Sequence, residues 1–226
     1  MSALSKRLSV IASLVPSGAR VCDIGTDHAY LGIELIKSGK ATSVIACDIN
    51  EKPLLKAKSN IEKSGVTGIE LRLRDGLSGL KPSETDCIVI AGIGGEVISG
   101  IFERTSIFSQ EYSPAIILQP TTSPEILRKF LCKNGFLIKK EIPILDNGKL
   151  YTAMLVFFTG QNKTYDEYYY YIGSLNPDDD TARLYIEKQY NRCFKCMTAL
   201  ENTENRDEYL YYKDICEKIE NYLKES

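Results

Sequence analysis

The period of the apolar residues changes repeatedly along the chain, and each change predicts an element. Leu4, Leu8, Ile11, Ala12 and Val15 share one helical face over residues 4–15, and "VPSG" ends that helix. "ARVCDIG" then reads as a short apolar strand, "YLGIELIKSG" as a helix closed by Gly39, and "SVIACDI" as a second strand. "EKPLLKAKSNIEKSG" predicts a helix with Pro53 in its first turn and Gly65 past its end. A third strand, "IELRLRDG", and a fourth, "DCIVIAGIGG", lead to a helix, "GEVISGIFER". A fifth strand, "PAIILQP", and another helix, "SPEILRKFLCKNG", follow. "FLIKKEIPILDNGKLYTAMLVFF" predicts two long strands joined at Asn147-Gly148, a dipeptide that favours the tight turn of a β-hairpin.

Near-continuous apolar strands alternating with helices fit a parallel sheet covered on both faces, here with an antiparallel end. The pattern shifts near residue 160, where "GQNKTYDEYYYYIGSLNPDDD" is polar and tyrosine-rich. Beyond it, Ile186, Tyr190, Cys193, Met197 and Leu200 form one helical stripe, and Tyr209, Tyr212, Cys216, Ile219 and Leu223 form another. Two such stripes around the turn "ENTENRDE" predict an antiparallel coiled-coil hairpin, with Asn205 and Glu208 capping its second helix. The expected division is a doubly wound α/β domain over residues 1–160 and a helical hairpin over 161–226. The tyrosines at 168–171 are expected to pack the hairpin onto the domain rather than to stack on bases.

Composition narrows the class. With 226 residues, 43% of them hydrophobic, the chain can bury a sizeable core. A net charge of -2 gives no global pull toward nucleic acid, so a polyanion would have to be held by local basic patches. The seven cysteines are odd in number and several sit in apolar runs, as expected of buried free thiols in a reducing compartment. Cys193 and Cys196 lie in a helical pattern with no second ligand pair nearby, so no zinc site is expected. Neither a signal peptide nor a run of about 18 apolar residues is visible, which predicts a cytoplasmic protein that does not span a membrane.

The candidate chemistry lies where strands end, which is where such sheets bind ligands. Asp23 closes the first strand two residues before Gly25, and Asp27, His28 and Tyr30 follow at the start of a helix. Asp48 ends the second strand, where an acid can accept hydrogen bonds from both ribose hydroxyls. Asp75-Gly76 follows the third, where a carboxylate can accept from an adenine amino group. A dinucleotide, and with it a dinucleotide oxidoreductase, is disfavoured: the next glycine after Gly25 is Gly32, Val97 stands where "GIGGEV" would need its last glycine, and Asp23 and Asp27 would repel a pyrophosphate. S-adenosylmethionine, with its sulfonium and ammonium, suits three acids on successive strand ends. Each acid alone reads equally well as a loop residue that caps a helix; the set is what favours a cofactor. Gly92, Gly94 and Gly95 allow a tight turn and also the close approach of a flat base.

"DIGTDHAYL", "CDINEKPL", "RDGL", "IAGIGGEVI" and "ILQP" together resemble the bacterial tRNA (adenine(22)-N1)-methyltransferase family, over essentially the whole chain. The resemblance implies a Rossmann-like class I methyltransferase sheet, mostly parallel, with a C-terminal coiled-coil hairpin. It implies that Asp23, Gly25, Asp27 and His28 line the methionine end of S-adenosylmethionine, with Ala91 and Gly92 beside them. Asp48, Ile49 and Asn50 would then hold the ribose side, and Asp75 and Gly76 the adenine side. The Ala91–Gly95 stretch, with Gly94 and Gly95, sits where other adenine methyltransferases carry an Asn/Asp-Pro-Pro-aromatic motif, which this chain lacks. That departure argues against attack by the exocyclic amino group and for the ring N1, whose lone pair is already nucleophilic.

On this reading S-adenosyl-L-homocysteine and 1-methyladenosine are the products, and catalysis falls to Asp27, His28 and Tyr30. Asp27 would stabilise the methylated ring or orient its amino group, while His28 and Tyr30 would stack on or bond the base. Arg7, Gly94, Gly95, Gln119 and Pro120 would border the tRNA substrate, and Lys6, Arg128, Lys129, Lys133, Lys139 and Lys140 are further candidates for its grip. The hairpin adds Arg183, Lys188, Arg192 and Lys195 beside many acids. A monomer is expected, a dimer sharing the coiled-coil seam being the alternative. Two rivals remain: a methyltransferase for a small-molecule or protein acceptor, and a tRNA-binding module with a vestigial cofactor fold.

Overall fold

The structure is a computed structural model that describes residues 4–224. Its first helix, α1 (Lys6–Leu14), begins two residues later than the apolar pattern suggests. Ser5 caps it, the hydroxyl accepting from the Leu8 N–H at 3.3 Å, and Val15 turns extended before Pro16. The strands follow as β1 (Ala19–Ile24), β2 (Ala41–Asp48), β3 (Ile69–Leu73), β4 (Cys87–Ile93) and β5 (Ala115–Pro120). Between them lie α2 (Tyr30–Lys37), α3 (Glu51–Ser64), α4 (Gly95–Glu103) and α5 (Pro124–Lys133), plus one 3₁₀ turn at Pro82–Glu84. The hairpin β6 (Phe136–Asp146) and β7 (Lys149–Phe158) reverses at Asn147-Gly148, both with positive φ.

The seven strands form one sheet in the order β3-β2-β1-β4-β5-β7-β6. The first five are parallel, and β7 runs antiparallel to β5 and to β6. Successive residues serve opposite faces. Cys22, Ile45, Ile88 and Leu118 pack beneath α4 and α5 residues such as Ile98, Phe102 and Leu127. Val21, Val44, Val89 and Ile117 pack with Ile11, Leu31 and Leu35 from α1 and α2. This double burial is why the strands read as continuous apolar runs. The order reverses between β1 and β4, so a crevice opens at their carboxyl ends.

After β7 come α6 (Glu167–Ile172), α7 (Asp180–Leu200) and α8 (Arg206–Lys224). The tyrosine-rich stretch forms α6, which lacks a legible period because it is only six residues long. Tyr170, Tyr171 and Ile172 are buried, as expected of residues that pack the hairpin down. Ile186, Cys193, Cys216 and Ile219 form the buried seam of α7 and α8, with Tyr190, Tyr212 and Leu223 against it; Met197, Leu200 and Tyr209, nearer the tip, lie outside that cluster. Asn205 and Glu208 form the expected reciprocal cap: the Asn205 amide donates to Glu208 at 2.6 Å and accepts from its N–H at 3.4 Å.

Arg128 departs from the sequence-based expectation. It is fully buried and cannot grip RNA. Its guanidinium pairs with the buried Glu141 carboxylate at 2.5 Å and donates to the Tyr170 and Tyr171 carbonyls at 2.7 and 2.9 Å and to the Tyr185 hydroxyl at 3.2 Å. One side chain thereby joins α5, β6, α6 and α7. Gly173 lets the chain pass, because a Cβ there would run into the Glu141 carboxylate. Lys129 is likewise committed, to Glu167 at 2.7 Å. Removing one member of a buried pair strands the other, at about 3–5 kcal/mol. Arg128→Met should therefore lower unfolding free energy in urea by about that amount, and adding Glu141→Leu should recover part of the loss. Full stability in the single variant would contradict the role.

Candidate active site

The crevice at the carboxyl ends of β1 and β4 is a cavity of about 310 Å³, lined by Arg7, Leu8, Asp23, Gly25, Thr26, Asp27, His28, Ala29, Tyr30, Leu31, Ala91 and Gly92. Two backbone features shape it. Gly25, with φ of +80°, turns the chain off β1, and its N–H and that of Thr26 donate to the Cys47 carbonyl at 2.8 and 2.9 Å. Ala29 stands in the left-handed region at φ of +56°, a costly conformation for a residue with a Cβ. This bend sets His28 and Tyr30 on the same side of the helix start, their rings stacked 5.1 Å apart at 13°. The Asn60 amide donates to the His28 carbonyl at 3.0 Å and anchors the turn from α3.

The acids differ in setting. Asp23 is buried, and burial pushes its carboxyl up to about 6 against only a hydrogen bond from Thr26. Asp27 is exposed; one oxygen lies 3.0 Å from His28 Nε2 and the other 3.7 Å from Lys56 Nζ. Asp48 lies outside this cavity at the end of β2, where one oxygen accepts from the Asn50 N–H at 2.8 Å. Ile49 beside it is exposed. Asp75 lies on another small cleft with Gly76 and Arg104, the guanidinium 3.4 Å from its carboxylate. Gly76 is required there, since a Cβ would stand 2.9 Å from Ile101. Beneath these strand ends Arg74 donates to Cys22 and Cys47 at 3.2 and 3.1 Å.

On the opposite wall, Arg7 donates to the buried Gln119 at 2.6 Å and lies over Gly92, where a Cβ would meet its Nη1 at 3.2 Å. Gly94 and Gly95 turn elsewhere. A Cβ on Gly95 would collide with the Ser123 carbonyl, and its N–H donates to Thr122 at 2.8 Å. These two glycines thus serve the packing of the β4–α4 turn on the β5–α5 loop. Leu8, Thr26, Ala29 and Leu31 also line the cavity; the last three lie within "DIGTDHAYL", but none of the four was named as a site residue. Thr26 could have been found as a hydroxyl between Gly25 and Asp27 at the end of a strand.

This donor set fits a cationic nucleoside. Asp23 is a buried carboxylate without a countercharge, Asp48 keeps an oxygen free of the Asn50 contact, and Ile49 offers an apolar surface. After β1 a phosphate would meet Asp23 and Asp27 rather than a glycine-flanked helix N-terminus. Among the described residues no cluster of His, Cys, Asp and Glu is arranged to hold a metal, and no helix is long and apolar enough to cross a membrane.

Sheet order and site together define a Rossmann-like methyltransferase domain, and the methyltransferase domain family matches residues 4–154. The curated tRNA (adenine(22)-N(1))-methyltransferase of Bacillus subtilis (strain 168) is 37% identical over 166 residues, 72% of this chain and 68% of that protein. The crystal structure of the B. subtilis M1A22 tRNA methyltransferase superposes with a TM-score of 0.85 at 28% identity, covering 98% of this chain and 99% of the other. The M. capricolum TrmK in complex with S-adenosyl-homocysteine gives a TM-score of 0.79 at 31% identity over 98% of each chain. The chain belongs to the tRNA (adenine(22)-N1)-methyltransferase family.

The setting of Asp23 makes a prediction with a definite sign. Between its ordinary value of 3.8 and its value in the fold of about 6, the folded protein keeps a proton that the unfolded chain has lost. Stability must fall as pH rises through that window, by on the order of 3 kcal/mol in all. Asp23→Asn should therefore raise the urea midpoint at pH 7.5 and leave it unchanged near pH 4, without cofactor present. An equal gain at both pH values would contradict the assignment.

Proposed function

We propose that this protein transfers the methyl group of S-adenosyl-L-methionine to N1 of adenine 22 in tRNA, giving 1-methyladenosine and S-adenosyl-L-homocysteine. The observation that carries the reading is the buried, unpaired Asp23 beside an open crevice at the β1/β4 switch point, in a chain of this family. Asp23, Gly25, Ala91 and Gly92 would hold the methionine end, Asp48, Ile49 and Asn50 the ribose, and Asp75 and Gly76 the adenine. The acceptor would be cytoplasmic tRNA, met by a monomer.

The cofactor supplies an electrophilic methyl carbon on a sulfonium. The remaining work falls to the chain. The target base must leave its stack, at a cost of a few kcal/mol. The His28–Tyr30 stack, with Tyr30 47% exposed, offers that base an aromatic surface at the mouth of the crevice. The Arg7–Gln119 bond closes the opposite wall. The N1 lone pair forms the new bond to the methyl carbon as the carbon–sulfur bond breaks, and the pair returns to sulfur. Positive charge moves onto the ring. Asp27, exposed and held by His28 and Lys56, sits where it can face that charge or the adjacent amino group. Catalysis here is chiefly alignment, with reacting atoms about 3–3.5 Å apart.

RNA grip falls to the exposed Lys6, Lys133, Lys139 and Lys140 rather than to Arg128. Binding through phosphates should weaken steeply with added salt. The deciding experiment incubates the protein with labelled S-adenosylmethionine and tRNA from cells lacking the modification, then identifies the methylated nucleoside by mass spectrometry. We expect 1-methyladenosine at position 22. Cofactor consumption with methyl on a small molecule or protein would contradict the reading. In the same assay Asp27→Ala should lower kcat at least a hundredfold, the order of a lost acid–base or charge-stabilising group, while cofactor affinity stays within twofold. An equal loss of affinity would make Asp27 a cofactor ligand instead.

A further inference from the structure

The crevice at the ends of β1 and β4 carries two charged groups that the chain itself leaves unpaired. One is the buried carboxyl of Asp23. The other is the guanidinium of Arg7, the only lysine or arginine among the described residues that line the cavity. The imidazole of His28 is already engaged, 3.0 Å from Asp27.

Arg7 is held in place without being neutralised. It stands in the first turn of α1, whose Ile11 and Leu14 are buried against the sheet. Its Nη1 donates to Gln119 Oε1 at 2.6 Å, and the Gln119 amide nitrogen donates to the Pro120 carbonyl at 2.8 Å. Gln119 is fully buried and bonded at both ends of its amide, so it gives the guanidinium a fixed support. Gly92, with φ of +84°, leaves the space, since a Cβ there would meet Nη1 at 3.2 Å. A neutral amide takes one donor and no charge. Among the described residues the guanidinium makes only that hydrogen bond and pairs with no carboxylate. The rest of its planar fork of N–H donors stays open, in a geometry that matches a carboxylate.

An unpaired carboxyl and an unpaired guanidinium on one cavity are complementary to a ligand that brings both an ammonium and a carboxylate. An α-amino acid has that pattern. A simple cation would answer Asp23 alone. An RNA phosphate would answer Arg7 alone, and would face Asp23 and Asp27 in the same cavity.

We propose that Arg7 binds the α-carboxylate at the methionine end of the cofactor while Asp23 takes the ammonium, so that the crevice selects for an intact amino-acid group. The proposal rests on the S-adenosylmethionine reading above. It moves Arg7 from the tRNA side of the crevice to the cofactor side.

The test measures affinity by titration calorimetry for S-adenosyl-L-methionine and for its decarboxylated form, which keeps the sulfonium and the amine and lacks only the carboxylate. Wild-type protein should bind the decarboxylated ligand about tenfold to a hundredfold more weakly, the loss expected for hydrogen bonds between charged groups. Arg7→Gln should bind S-adenosyl-L-methionine more weakly by a similar factor, yet bind the decarboxylated ligand no worse than wild type does, because both changes remove one interaction. Arg7→Lys should fall between, keeping the charge without the fork. Equal wild-type affinity for the two ligands would overturn the proposal, as would an Arg7→Gln loss of the same size on both. Unchanged cofactor affinity in Arg7→Gln, with tRNA affinity lost by fluorescence anisotropy, would return Arg7 to the RNA and overturn it too. The ligand comparison needs only wild-type protein, so it decides even if Arg7→Gln does not fold. Equal affinity for the two ligands leaves the methyl-transfer reading standing, whereas failure of S-adenosyl-L-methionine to bind at all would overturn both.

Discussion

A guanidinium taken fully out of water must have its charge met and its donors filled, and Arg128 achieves this only by drawing four elements together. Glu141 from β6 supplies the charge, the Tyr170 and Tyr171 carbonyls from α6 take one nitrogen, and the Tyr185 hydroxyl from α7 takes another. Such a pair adds little net stability over a well-packed apolar one, but it tolerates only one arrangement of its partners. The C-terminal helices are therefore registered against the sheet rather than merely laid on it. The position of α7 over β7 and the β5–α5 loop follows from that registration.

The same logic of burial governs the crevice at the carboxyl ends of β1 and β4. Asp23 is held without a countercharge by a parallel strand buried on both faces. Its cost to the fold is a standing preference for a bound cation. Asp48 and Asp75, on the next two strand ends, are more open and do not share the cavity with Asp23. An elongated ligand laid along the carboxyl edge is what such a row of acids suits; a compact one would reach only the first of them.

Much of this was legible in the sequence because its causes are local. Double burial makes parallel strands uniformly apolar, Asn147-Gly148 can adopt the positive φ of a tight hairpin, and Asn205 with Glu208 announces a helix start. What stayed hidden depended on tertiary partners. Arg128 looked like a surface cation because nothing nearby in sequence hints at Glu141 or at the carbonyls of α6, although it adjoins the buried stripe of Leu127 and Leu131. Gly94 and Gly95 looked open to a base, but their space is taken by Thr122 and Ser123. Helix α6 is too short for its period to show.

The edge of this sheet is suited to a cationic nucleoside in place of a pyrophosphate-bearing one. Titration calorimetry addresses it directly, with S-adenosyl-L-methionine and NAD⁺ in separate experiments on the same preparation. We expect saturable one-to-one binding of S-adenosyl-L-methionine and no heat of binding with NAD⁺. Saturable binding of NAD⁺, with none of S-adenosyl-L-methionine, would contradict it.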